Sequence, residues 1–204
     1  MPARPDPYRI AHWPKPDAPA TDPWEKRFLA ASSDEERVEI ISEKATSDPK
    51  SLAPLLRRAL QSESLAVGVE AINSSYGLRG ANAIDILSGA TSHTEEEIAI
   101  LAAEAAREQP DLETRLEIYE NFLASPHEPV RELAVIELSR QESKPAIDLL
   151  ILGLLDPSAA IVDTTQQSLQ RLFAREFLNA AEAKQWWAAN QDKYGPKLQN
   201  IAVP

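Results

Sequence analysis

The chain of 204 residues has no cysteine and only three histidines. The lack of thiols excludes disulfide bonds, thiolate metal sites and cysteine nucleophiles. His12, His93 and His127 are far apart in sequence, and none belongs to a paired spacing that holds zinc or a di-iron centre on a helix. We therefore expect no metal site, no cofactor and no catalytic residues, although composition alone leaves open whether the protein is an enzyme.

Basic charge is also scarce. The sequence has 21 Lys and Arg against 32 Asp and Glu, which gives a net charge of −11. Proteins that bind a phosphate backbone or an anionic membrane need a basic surface, so this balance disfavours both. We expect neither nucleic acid nor a membrane as a partner. The basic pair Arg57-Arg58 is expected on a solvated face.

Long hydrophobic runs are missing as well. No stretch approaches the roughly 20 apolar residues that a membrane-spanning helix needs. The N-terminal sequence MPARPDPYRIAHWPKPD lacks the apolar core of a signal peptide. We therefore expect a cytoplasmic protein.

Glycine is rare, with 6 residues, whereas proline is frequent, with 16. The segment Gly77-Leu-Arg-Gly80 is too short for a phosphate-binding loop and predicts a turn between helices. Seven prolines fall within residues 1–23, and each fixes its own φ and disfavours helix before it. We predict an extended, Pro-rich N-terminal arm over 1–23, although the same composition is typical of a disordered leader.

Aromatic and branched residues in and beside this arm argue for a binding role. Tyr8, Ile10 and Trp13 lie inside it, and Trp24 follows it. A Pro-rich segment cannot build its own core, so these side chains are expected to anchor the arm on its own body or on another chain. They are our candidate partner-binding residues.

The body of the chain carries repeated helix-start signals and no long period-two alternation, which predicts an all-α fold. Each signal places a capping side chain before an acidic or proline-containing first turn. The six predicted starts are Asp22-Pro23, Ser33 to Glu36, Asp48-Pro49, Thr94 to Glu97, Asp156-Pro157 and Asn179 to Glu182.

An apolar frame recurs every 31–32 residues. In the second helix of each predicted pair it comprises Val67/Ala71/Ser75, Ile98/Ala102/Ala106, Val130/Ala134/Leu138 and Ile161/Thr165/Leu169. In the first helix it comprises Leu55-Leu56, Ile86-Leu87, Ile118-Tyr119 and Leu150-Ile151. Two independent frames with one period indicate stacked helix pairs, since single pairs of this length bury their apolar faces only against neighbours.

The period divides the chain into an arm, an array and a terminal segment. We predict a half-unit at 24–46 and four helix pairs at about 51–78, 80–108, 112–141 and 144–173, together forming a short right-handed α-solenoid over 24–173. Residues 174–204 are predicted to form a C-terminal capping helix and tail, whose aromatic residues would cover the last apolar face. The tryptophan pair Trp186-Trp187 could instead serve a ligand or a partner.

The stretch SPHEPVRELAVIEL, residues 125–138, resembles the second-helix signature of HEAT-like repeats, which are armadillo-type α-solenoids. The matching positions are Pro129, Val130-Arg131, Ala134 and Leu138, and the next repeat departs from the pattern at the arginine. The Trp, Gly and Tyr positions of tetratricopeptide repeats are missing. The resemblance implies that Arg131 pairs with an acid of the adjoining turn, for which Asp156 is the natural candidate.

The resemblance also implies function. We expect a non-catalytic protein-binding or scaffolding subunit whose partner is another protein, alone or within a larger assembly, and we expect no small-molecule ligand. The alternatives are an accessory or lyase-type protein with a ligand groove, like the bilin lyases, and an alkylated-base DNA glycosylase, whose groove would be basic. A deep cleft containing Trp186 or Trp187 would favour a ligand, and a flat acidic surface would favour scaffolding.

Overall fold

The computed structural model describes residues 22–199, and this part of the chain is all-α, as predicted. It contains no β-strand. The α-helices are α1 (Pro23–Ala30), α2 (Asp34–Ser47), α3 (Ala53–Ala59), α4 (Leu65–Ser75), α5 (Ala81–Ala90), α6 (Glu96–Arg107), α7 (Leu112–Phe122), α8 (Glu128–Arg140), α9 (Lys144–Leu150), α10 (Ala159–Phe173) and α11 (Ala180–Asn190). Three short 3-10 helices span Pro49–Ser51, Ile151–Leu155 and Gln191–Lys193.

Several helices begin where capping side chains satisfy exposed backbone N–H groups. Asp22 accepts a hydrogen bond from the Trp24 N–H at 2.7 Å and starts α1. Ser33 and Asn179 do the same for α2 and α11, as the sequence predicts. In α11 the bond runs from the Glu182 N–H to Asn179 at 2.9 Å.

The predicted start of α6 at Thr94 is wrong. The helix begins at Glu96, and its cap residue Glu95 makes no side-chain capping bond. In the turn before the helix, the imidazole Nδ1 of His93 accepts the Glu95 N–H at 3.0 Å.

The two internal Asp-Pro starts are also displaced. Asp48-Pro49 opens a 3-10 helix, and α3 begins at Ala53. Asp156-Pro157 precedes α10, which begins at Ala159. In both cases the aspartate has another partner: Lys44 contacts Asp48 at 2.8 Å, and Arg131 holds Asp156.

The predicted apolar frame forms the core. All twelve second-helix positions, from Val67 to Leu169, are between 0 and 1% exposed. The eight first-helix positions, from Leu55 to Ile151, are at most 4% exposed. The 31–32-residue periodicity therefore identified buried contacts, including the polar Ser75 and Thr165, which bond to backbone carbonyls of their own helices.

The chain divides into two compact units, one up to His127 and one from Glu128. In the first unit, α1, α3, α5 and α7 pack in succession, and so do α2, α4 and α6. Helix α4 approaches α6 closely at Gly68, where a Cβ atom would lie 2.1 Å from Ile98 Cδ1. This order of contacts is compatible with a helical repeat.

In the second unit, α8 packs on α9 and α10, and the 3-10 helix Ile151–Leu155 contacts α9, α10 and α11. Gly153 permits that contact, because a Cβ there would lie 2.4 Å from Thr165 Oγ1 and 2.9 Å from Val135 Cγ2. The close packing of this 3-10 helix therefore requires a residue without a side chain at position 153.

The predicted ion pair between Arg131 and Asp156 is confirmed. Arg131 Nε lies 2.8 Å from Asp156 Oδ2, and Nη2 lies 3.2 Å from Oδ1, so the guanidinium grips the carboxylate with two bonds. Their side chains are 10% and 4% exposed. The Asp156 carboxylate also accepts the Ser158 N–H at 2.8 Å.

The expectation that Arg57 and Arg58 both lie on a solvated face is wrong for Arg58. Arg58 pairs with Glu25 at 3.1 Å, and the two side chains are 14% and 12% exposed. Arg57 is half-exposed and pairs with Asp85. Helix α3 carries the two side chains in different directions, so only one of them faces water.

The turn predicted at Gly77-Leu-Arg-Gly80 is confirmed, since it joins α4 to α5. Gly80 has a φ of +54°, a backbone conformation that favours glycine. Among residues 22–199, every helix is too short or too polar to cross a bilayer.

Candidate interaction surfaces

Of the four predicted anchors, only Trp24 lies within the described residues; Tyr8, Ile10 and Trp13 lie outside them. Trp24 is half-buried in α1, and two cations flank its ring. Lys44 Nζ lies 5.5 Å from the ring centroid, and the Arg27 guanidinium lies 5.6 Å from it. Trp24 thus interacts with its own unit, and its use by a partner stays a prediction.

Lys44 is a buried cation beneath this tryptophan. Its side chain is 2% exposed and donates to Asp48 Oδ2 at 2.8 Å. The bond from Lys44 lowers the pKa of the Asp48 carboxyl. Because the ammonium is paired, it has a structural role in the turn after α2.

The histidines of the described chain also have structural roles. His127 Nε2 lies 2.8 Å from the carbonyl oxygen of His93, so this nitrogen must carry the proton and donate. His127 Nδ1 is 3.6 Å from Glu96 Oε2. Burial lowers the pKa of His93. No group of three or more His, Asp or Glu side chains within 22–199 is placed to hold a metal ion.

An aromatic cluster closes the second unit. The ring centroid of Phe173 lies 5.0 Å from Trp186, 5.4 Å from Trp187 and 5.4 Å from Tyr194. Trp187 is 2% exposed. The Arg175 guanidinium lies 5.8 Å from the Trp186 ring. The two tryptophans therefore pack within the unit.

A first cleft, the α10 cleft, has a volume of about 300 Å³. It is mostly polar, and its lining residues are Asp163, Gln166, Gln167, Gln170, Glu176, Phe177 and Leu178. Gln170 donates to Glu176 at 3.1 Å across it. Leu178 at its rim is 87% exposed.

A second cleft, the basic cleft, has a volume of about 430 Å³. It is lined by Ser139, Arg140, Glu142, Arg171, Leu172, Lys197, Leu198 and Gln199, which come from the end of α8, the end of α10 and the turn after α11. Three of these side chains are cations and one is an acid. Neither Trp186 nor Trp187 lines the basic cleft or the α10 cleft.

Hydrogen bonds hold the basic cleft in place. Arg171 Nη2 donates to Ser139 Oγ at 2.9 Å, and the Ser139 hydroxyl donates to the Ile136 carbonyl at 2.7 Å. Arg140 pairs with Glu137 at 2.6 Å. Within residues 22–199, no carboxylate forms an ion pair with Arg171 or Lys197.

Sequence reasoning did not find the basic cleft, because its cations are far apart in the chain. One signal was available. Arg140 and Arg171 each lie ten residues after a frame residue, Val130 and Ile161, so they occupy the same position in successive repeats.

In comparisons with known proteins, no family model, no curated protein and no solved structure matches this chain. Its class is therefore defined by its own structure: within residues 22–199, an all-α protein of eleven packed α-helices.

Proposed function

We propose that this protein is a non-catalytic protein-binding or scaffolding subunit, built as a short right-handed α-solenoid of HEAT-like helix pairs. The observation that carries the proposal is the burial of the repeated frame, whose second-helix positions are all between 0 and 1% exposed. Because the frame residues are buried in contacts between helices, the outward positions of each helix stay free for other contacts. Solenoid proteins use such successive outward positions to recognise other proteins.

The placement of the tryptophans favours this function over a ligand groove. A groove-type protein would present Trp186 or Trp187 as the wall of a cleft. Trp187 instead lies against Phe173 and Tyr194, and it is 2% exposed. The aromatic cluster is better accounted for as packing that covers the last helix pair, in the capping role that we propose for it.

The N-terminal arm would supply the anchors of the interaction. Tyr8, Ile10 and Trp13 are large side chains in a segment that prolines keep from forming its own core. Large apolar and aromatic side chains dominate the energy of protein interfaces when a partner buries them. We therefore propose that the arm and the helix pairs bind one partner together.

Affinity purification with the tagged full chain tests the proposal. Candidate partners are identified by mass spectrometry, and each is then titrated in purified form. The triple variant Tyr8→Ala, Ile10→Ala, Trp13→Ala should weaken the complex by at least about tenfold, because each truncated anchor removes on the order of 1 kcal/mol.

The matched control truncates three polar side chains of the same arm, Arg9→Ala, Lys15→Ala and Asp17→Ala. It should leave affinity within about twofold of the wild type. Equal losses in both triple variants would refute the role of the three anchors. The absence of any saturable protein partner would refute the function itself.

A further inference from the structure

We propose that the basic cleft binds the carboxylate groups of an acidic, leucine-bearing segment of the partner protein. The proposal rests on the protein-binding function proposed above and gives the partner a chemistry. It starts from Arg171 and Lys197, two cations that line one cleft without a carboxylate partner in residues 22–199.

The cleft is lined by more cations than acids, whereas the chain as a whole is acidic. Residues 22–127 contain ten Lys and Arg against twenty Asp and Glu, whereas residues 128–199 contain eight against ten. The negative charge is thus concentrated in the first unit. Most arginines in residues 22–199 bond to a nearby carboxylate, so an arginine held by a hydroxyl alone is an exception.

Arg171 is oriented before any partner arrives. Its Nη2 donates to Ser139 Oγ, a buried hydroxyl that is itself bonded to the Ile136 carbonyl. Ser139 is 4% exposed, so packing holds it in place. A guanidinium fixed on one side keeps its other N–H groups for a carboxylate, which the planar fork grips with two bonds.

Two neighbouring charged residues affect where a carboxylate can bind in the cleft. Arg140 is engaged with Glu137 at 2.6 Å but is 61% exposed, so a second carboxylate can reach it. Glu142 is the acid of the lining. We therefore expect an incoming carboxylate to bind the two cations that lack a carboxylate partner, Arg171 and Lys197.

The apolar lining distinguishes a peptide from a small oxyanion. Leu172 and Leu198 share the wall with the cations, and the volume of about 430 Å³ exceeds what a phosphate ion needs. Leu198 has a φ of +55°, an uncommon conformation for a leucine. A free phosphate would use the cations and leave both leucines uncovered, whereas an acidic segment with apolar residues covers both.

The overall charge of −11 does not prevent an acidic segment from binding in the cleft. Such a charge repels anions at long range, but screening limits this repulsion to about 8 Å at physiological ionic strength. Binding must then come from short contacts, and apolar contacts add to those of the cations.

Fluorescence anisotropy of the full chain tests the proposal. The probe is a fluorescein-labelled peptide of repeated Glu-Glu-Leu units, and the control probe replaces each Glu by Gln. Arg171→Gln and Lys197→Gln should each weaken binding of the acidic peptide about tenfold, because each removes charge-assisted hydrogen bonds. Lys184→Gln, an exposed lysine of α11 outside the cleft, should leave affinity unchanged within about twofold.

Binding should also weaken when salt is raised from about 50 to about 300 mM, because screening acts on exposed charges. Three results would overturn the proposal: no saturable binding of the acidic peptide, equal binding of the Gln peptide, or an equal loss in Lys184→Gln. Binding of inorganic phosphate in calorimetry without binding of the peptide would also overturn it.

The failure of this proposal can be told apart from failure of the proposed function. If a purified partner binds the wild type and the Arg171→Gln, Lys197→Gln double variant equally, the basic cleft is not its site and the protein-binding function stands. If no partner binds the wild type, the proposed protein-binding function is itself refuted.

Discussion

Removing Asp156 should destabilise the second unit more than any exposed charge does. Its carboxylate accepts two bonds from Arg131 and one from the Ser158 N–H, and both side chains of the pair are at most 10% exposed. Asp156→Ala removes the two bonds that this carboxylate accepts from a nearly buried guanidinium. Breaking a buried pair from one side costs about 3–5 kcal/mol, so we expect the free energy of unfolding to fall by about 3 kcal/mol or more.

A double-variant cycle separates the pair from its surroundings. Arg131→Met removes the charge but keeps most of the apolar stem, and alone it should cost a similar amount because it strands the carboxylate. The double variant Arg131→Met, Asp156→Ala should cost less than the two single variants together, since neither charge is left unpaired. The predicted coupling is about 2 kcal/mol.

Urea denaturation followed by circular dichroism and by tryptophan fluorescence measures these values. The second probe reports on the second unit through Trp186 and Trp187 and on the first unit through Trp24. Asp163→Ala, which removes an exposed carboxylate of α10, is the matched control and should change stability by no more than about 0.5 kcal/mol. An Asp156→Ala cost equal to this control, or single-variant costs that simply add, would refute the reasoning.

Three further predictions concern local strain and pH. Gly80→Ala should cost about 1–3 kcal/mol in thermal denaturation because φ is +54°, whereas Gly77→Ala, whose Cβ would meet open space, should be neutral within about 0.5 kcal/mol; equal effects would contradict this. Gly153→Ala should cost about 1–3 kcal/mol because its Cβ would lie 2.4 Å from Thr165 Oγ1, and adding Thr165→Ala should restore part of that loss. Burial lowers the pKa of His93, so the unfolded chain binds the proton first as pH falls below about 6.5 and stability decreases. His93→Gln should flatten this decrease in unfolding free energy between about pH 6.5 and pH 5.5, and superimposable pH profiles would rule the histidine out as its cause.

The sequence predicted the core of this fold because helical packing depends on periodicity, and periodicity is local information. Val130, Ala134 and Leu138 are all fully buried, and so are their counterparts one period earlier. The Arg131 and Asp156 contact was predicted differently, from the resemblance of residues 125–138 to the second helix of HEAT-like repeats.

Contacts set by the packing of a turn or of distant helices were not predictable in this way. Thr94 has the right spacing for a cap, but the helix begins at Glu96 without a side-chain cap, and the His93 ring accepts the Glu95 N–H in the turn before it. Arg58 belongs to a pattern typical of a solvated face, yet Glu25 lies 33 residues earlier and pairs with it. In both cases only the packed structure shows which groups meet.

The basic cleft shows why function is harder to read here than fold. The frame positions are buried in every repeat, so their chemistry is set by packing and carries no information about a partner. The position ten residues after the first frame residue lies outside that constraint. It is occupied in turn by Gly77, Glu108, Arg140 and Arg171. A register that changes from glycine to acid to two arginines, while its frame stays buried, is not fixed by the core, and under the proposed function it can vary with the partner. Positions of this kind, compared between repeats, are therefore where the chemistry of recognition should be sought in this chain.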